Sequence, residues 1–177
     1  MKQRFWGNGY FIGSHQRNDK RLMYEESLRI PLIIRYPKMI KPGAKNSEMV
    51  LNIDVAPTLI ELAGGEVPVG MQGASLVPLL KNETVAWRDS FLYEYFQEEY
   101  APGFVTVAGV RNKTYKYIES PNSKGDINEL YDLKTDPGEM DNLINSPGYQ
   151  SIKEKMIKEL QKLKAETGYF DPGVYKE

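Results

Sequence analysis

Between residues 8 and 26 the chain concentrates side chains that can do chemistry: Asn8 in an Asn8-Gly9 pair, His15, Lys20, and the adjacent carboxylates Glu25 and Glu26. An apolar run follows at once, so this polar stretch sits directly on a strand. Carboxylates beside apolar segments suit general acid/base work, and an imidazole titrates where a small shift moves it across neutral pH. Each type also has an ordinary role, which weighs more. Asn-Gly pairs form turns because both residues tolerate positive φ. A lysine in Asn18-Asp19-Lys20-Arg21 is usually solvated, and a lone histidine more often packs than shuttles protons. Glu25-Glu26 reads as support for the strand entrance, and Asp54 as a helix cap. The chain contains no cysteine, which removes disulfides and thiolate metal sites.

The elements that must position these groups are readable from pattern. Residues 28–36 form the most β-compatible apolar run, closed by Pro37 and Pro42-Gly43, and read as a buried strand. Residues 52–64 carry a cap, a proline tolerated in the first turn, apolar spacing and a final glycine, which predicts a helix of about three turns. Ser75 caps a short helix running to Leu80. Beyond Trp87-Arg88 the composition turns tyrosine-rich. Residues 91–96, 105–111, 115–119 and 129–133 are β-prone, with Asn112-Lys113-Thr114 as a tight link, and predict a four-stranded antiparallel sheet. Tyr149, Ile152, Met156, Leu160 and Leu163 recur at helical spacing between Ser146-Pro147 and Gly168, predicting an amphipathic helix against that sheet.

Several ordered motifs carry more than pattern. Asn8-Gly9 and Lys20 precede Tyr24-Glu25-Glu26-Ser27-Leu28-Arg29-Ile30-Pro31-Leu32 and Ile40-Lys41-Pro42-Gly43. Further on come Gly73-Ala74-Ser75-Leu76-Val77-Pro78-Leu79-Leu80 and Glu129-Leu130-Tyr131-Asp132-Leu133, the latter with Asp136-Pro137, Glu139 and Asn142-Leu143. Together they resemble the later half of the formylglycine-dependent sulfatases of the alkaline-phosphatase superfamily. The closest flavour is the bacterial enzymes acting on sulfated sugars, such as N-acetylglucosamine-6-sulfatases. The resemblance covers the chain from Asn8 onward.

That resemblance implies an α/β fold, α+β as a fragment. Residues 1–87 would be a remnant of the catalytic sheet domain. Residues 88–177 would be the carboxy-terminal subdomain, an antiparallel sheet packed by a long helix. It also implies hydrolysis of sulfate esters, Asn8 as a ligand of calcium or magnesium, and Lys20 as a sulfate-binding cation. His15 falls where the family reads Gly-Glu-His, and is a further site candidate. Tyr93, Glu94, Tyr95 and Arg111 fall where the subdomain edges the substrate cleft. Two departures bear on the chemistry. The family's Cys-x-Pro-Ser-Arg nucleophile motif and its serine version are missing, and Gly7 stands where an aspartate ligand precedes the Asn. The expectation is a carboxy-terminal piece that is inactive alone and binds no metal by itself, its parent acting on sulfated carbohydrates. The alternative is a non-catalytic remnant or interaction module from a truncated gene.

Size and composition bound the rest. At 177 residues, 41% hydrophobic and 27% charged, the chain can build one ordinary core. A formal charge of −1 gives no electrostatic reason to expect nucleic acid or an anionic membrane as partner. No apolar run approaches the roughly twenty residues of a membrane span, and Met1-Lys2-Gln3-Arg4 leads into no signal-like segment, although a parent of this family is commonly periplasmic or secreted. A strand at residues 30–36 without its upstream parallel neighbours would leave an open edge, which predicts a two-fold homodimer through residues 5–36.

Overall fold

The computed structural model describes residues 2–5, 8–121, 128–171 and 173. The chain forms two units, residues 1–5 with 32–89 and residues 6–31 with 90–177. The segment bearing Asn8, His15, Lys20 and a short helix, α1 (Glu25–Leu28), therefore folds with the second half of the chain.

In the first unit β1 (Lys2–Phe5) pairs antiparallel with β2 (Leu32–Arg35), Lys2 opposite Arg35 and Phe5 opposite Leu32. Two expectations are corrected here. The strand is shorter than 28–36, bounded by Pro31 and Pro37, and it is not buried on both faces. A two-stranded ladder offers a core only one face, so alternate residues are covered and Ile33 remains 66% exposed. Nor does β2 lack a neighbour, because β1 occupies one of its edges.

After β2 come a 3-10 turn (Asn52–Asp54), α2 (Val55–Leu62) and α3 (Val77–Leu80). Pro57 lies in the first turn of α2, where its missing N–H breaks no helical bond. Gly64, with φ of 81°, follows its end. Asp54 does more than cap. Its fully buried carboxylate accepts the Leu51 amide at 2.7 Å and the Ala74 amide at 2.8 Å. It also accepts both guanidinium nitrogens of Arg88, at 2.5 and 2.6 Å.

The second unit is built on the predicted meander, β3 (Ser90–Tyr95), β4 (Val107–Asn112), β5 (Tyr115–Glu119) and β6 (Glu129–Asp132), each strand antiparallel to the next. Asn112 closes the β4–β5 turn by accepting the amides of Thr114 and Tyr115 through Oδ1. One face of the sheet packs on α4 (Gln150–Thr167): Met156 and Leu160 meet Val110, Tyr117 and Leu130. Gly168, with φ of 72°, ends the helix in the left-handed conformation. The other face is covered by residues 22–28. Met23 sits there with Val107, Ile118 and Tyr131, and its sulfur occupies the space a Cβ would need at Gly109. Strand alternation thus turns Arg111, Lys116, Glu129 and Tyr131 toward the segment that carries the candidate residues. Among the described residues no helix is long and apolar enough to cross a membrane.

Candidate functional site

The segment from Asn8 to Lys20 is organised by α1. The Gly9 amide donates to the Ser27 carbonyl at 2.8 Å. A Cβ at Gly9 would fall on the Glu26 carbonyl, so a close approach of two backbones requires glycine there. Asn8 is exposed beside it. Ser27, itself buried, donates from Oγ to the Lys20 carbonyl. One residue of α1 thereby fixes the backbone next to Asn8 and the backbone of Lys20, while the Lys20 ammonium stays on the exposed side. Gly9→Ala is expected to lower stability by about 1–3 kcal/mol through this overlap. The check is a denaturant midpoint together with loss of protection of the backbone amide at position 9.

Between these anchors the loop turns tightly. Ile12, Gly13, His15 and Gln16 all have positive φ, at 44°, 95°, 52° and 56°. Phe11 is buried and donates its amide to Asp19 at 2.9 Å. It meets His15 and Tyr24 edge-on, with ring centroids at 6.2 and 5.9 Å. His15 stacks flat on Tyr24, the rings 3.9 Å apart and 6° from parallel, with Nε2 3.4 Å from the Glu26 carboxylate. The structure thus turns the imidazole inward as a packing group.

Glu25 and Glu26, adjacent in sequence, serve opposite sides. Glu26 faces His15. Glu25 accepts the Arg111 guanidinium at 2.8 and 3.1 Å and lies 3.0 Å from the Lys116 ammonium. Lys116 in turn meets Glu139 at 2.5 Å, and Glu139 accepts the backbone amide of Glu25 at 2.7 Å. Lys116 and Glu139 are fully buried and meet as an ion pair, not through a directed hydrogen bond. Two acids and two bases balance, which is the condition for keeping such charges from water. Burial pushes the Glu139 carboxyl above the usual carboxylate range despite Lys116. Burial also pushes Glu25 up, but the Arg111 hydrogen bonds and the Lys116 charge outweigh it and hold that carboxyl below the range.

Two further groups complete the cover. Tyr24 and Tyr131 both donate to Glu129 at 2.8 Å, and burial pushes both phenols up, so they stay protonated donors. Arg21 bonds Asp19 and Glu98, each at 2.6 Å, and lies over the rings of Tyr100 and Phe104. This ties the residues beside Lys20 to the β3–β4 connection. Arg21, Lys116 and Glu139 were not singled out as site-supporting residues by sequence. The available signal was a lysine between two tyrosines in a run read as a strand of the antiparallel sheet.

A hard divalent cation takes six to eight oxygen ligands. The chain's offering is the Asn8 amide, and among the described residues no three His, Asp or Glu side chains converge as a metal site. These residues do not fit a complete calcium or magnesium site. What the loop provides is an exposed lysine, Lys20, whose backbone is held by Asp19 and Ser27.

The family model described as N-sulphoglucosamine sulphohydrolase, C-terminal, matches residues 13–166. An N-acetylglucosamine-6-O-sulfatase of Bacteroides thetaiotaomicron is 43% identical over 164 residues, covering 90% of this chain and 28% of its own. An ulvan-active sulfatase of Formosa agariphila is 34% identical over 187 residues, covering 86% and 36%. A solved structure described as a complex with its substrate D-glucosamine-2-N,6-O-disulfate superposes with a TM-score of 0.89 at 38% identity, covering 96% of this chain and 35% of that one. The chain spans about a third of the length of the curated relatives it matches.

Proposed function

Because the chain belongs to the N-sulphoglucosamine sulphohydrolase C-terminal family of sulfatases, we propose that it serves as the carboxy-terminal part of an enzyme hydrolysing sulfate esters on carbohydrates, with 6-O-sulfated glucosamines as the substrate class. The observation that carries this reading is the 43% identity to an N-acetylglucosamine-6-O-sulfatase across 90% of the chain. The neighbour described with a disulfated glucosamine as its substrate supports the same class.

In this reading Lys20 is the group that touches substrate. Sulfate ester hydrolysis builds negative charge on the ester oxygen as the bond to sulfur breaks, and a positioned ammonium stabilises that charge. The loop supplies the positioning, since the Lys20 backbone is held by Ser27 and Asp19 before the side chain begins. Asn8 would contribute one oxygen to a calcium or magnesium ion whose other ligands lie outside this chain's described residues. The nucleophile has no source here either, because there is no cysteine and no Ser-x-Pro-x-Arg run.

Two outcomes test the proposal. The purified 177-residue chain is expected to show no hydrolysis of 4-nitrocatechol sulfate or N-acetylglucosamine-6-sulfate above buffer. Turnover that vanishes in Lys20→Ala would defeat this part of the reading. When joined to a catalytic segment carrying the nucleophile motif, the chain is expected to support faster turnover of sulfated glycans than of steroid sulfates. The reverse order would sink the substrate assignment.

A further inference from the structure

We infer that Lys116 and Glu139, about a hundred residues beyond the candidate loop, are positioning residues for Lys20 and for the turn at Asn8, acting through α1. The chain of contacts is continuous and short. Glu139 accepts the Glu25 amide at the start of α1, and Lys116 holds the Glu25 side chain from the same side. Two residues on, Ser27 accepts the Gly9 amide and donates to the Lys20 carbonyl. Both candidate residues therefore take their backbone positions from a four-residue helix that is itself fixed by the sheet through Glu25.

A four-residue helix cannot hold its own shape, since nucleation costs more than a single turn returns. Something outside must fix α1, and the buried charges do so with direction. Arg111 approaches Glu25 in a forked, two-point geometry that leaves it little freedom. Lys116 and Glu139 are shut from water, and moving α1 away would leave these charges without Glu25 in a dry site. Tyr24, the residue before α1, carries the middle of the loop through its stack on His15, and Glu26 lies 3.4 Å from that imidazole. Of the adjacent acids of α1, Glu25 grips the sheet while Glu26 faces the loop. The assignment of Lys20 as sulfate ligand rests on the sulfatase reading; the positioning of its backbone does not.

The test reads geometry and leaves turnover out, so it can fail independently of that reading. His15 is the only histidine, which gives one imidazole signal in the NMR spectrum. Stacked 3.9 Å above Tyr24, its ring protons are expected upfield of their free positions. In Glu139→Gln this shift is expected to collapse toward the free value. Amide exchange at Gly9 and Phe11 is expected to quicken about tenfold beyond any change at Val110 and Leu160. An unmoved imidazole signal in a folded Glu139→Gln protein, or equal acceleration at all four amides, would overturn the inference. Should Glu139→Gln fail to fold, Ser27→Ala leaves the charges intact and cuts the link between α1 and Lys20. It must still quicken exchange at Phe11, whose acceptor Asp19 adjoins Lys20, while sparing Val110 and Leu160, and a Ser27→Ala protein with unchanged Phe11 exchange overturns the inference equally.

Discussion

Replacing Glu139 by alanine is expected to cost about 3 kcal/mol, a large share of a domain's stability. The size follows from what remains. Lys116 keeps its charge, its burial and its contact with Glu25 at 3.0 Å but loses its 2.5 Å partner, and the Glu25 amide loses its acceptor. Replacing both charges, as in Lys116→Met with Glu139→Leu, is expected to recover most of that loss, because an apolar pair needs no solvation and Glu25 retains Arg111. A double-mutant cycle by denaturant unfolding checks it. Two single losses that simply add would show that the charges do not act on one another.

The same cluster gives a signed dependence on pH. The Glu139 carboxyl is raised in the folded protein, so its contribution is present below the ordinary carboxylate range and lost as pH rises through the raised value. Glu25 is held low, so its contribution is present above the ordinary range and lost as pH falls through the depressed value. The contribution of this pair is expected to be greatest between the depressed Glu25 value and the raised Glu139 value. Glu139→Gln should flatten the limb toward neutrality, and Glu25→Gln the limb toward acid.

The second large effect belongs to the first unit. Asp54→Ala is expected to cost about 3–5 kcal/mol, because one buried carboxylate satisfies the Leu51 and Ala74 amides and both arms of Arg88. Asp54→Asn keeps one acceptor and the shape but removes the charge facing Arg88, so about half the loss is expected. Exchange at the Leu51 and Ala74 amides should rise in both variants, and protected Ala74 in Asp54→Ala would refute the account.

Legibility in the sequence differed by the range of the signal. The meander and α4 are local: β-prone composition in the runs between residues 91 and 133 and helical spacing from Tyr149 to Leu163 show within a few residues, and the elements lie where those signals point. The exposure of Ile33 was not legible, because an apolar run does not reveal how many strands will cover it. Asp54 read as a cap, since a capping acid and a buried receptor for Arg88 look alike before the chain folds. The Glu25, Lys116 and Glu139 cluster joins residues whose pairing no periodicity encodes. Asn8 and Lys20 entered through ordered motifs, and only the fold shows that both lean on Ser27.

The separation of those contacts also bears on time. Glu25 and Glu139 are 114 residues apart, Tyr24 and Glu129 are 105 apart, and Glu25 and Arg111 are 86 apart. The hairpin between β4 and β5 closes across two residues. Loop closure grows costlier with length, and near contacts form first. The meander and α4 should therefore assemble early, with residues 8–28 docking afterwards onto a finished sheet. Substitutions at Glu25 or Ser27 would then leave the folding rate nearly untouched and quicken unfolding. The loop that carries Lys20 would be the last part to arrive and the first to leave.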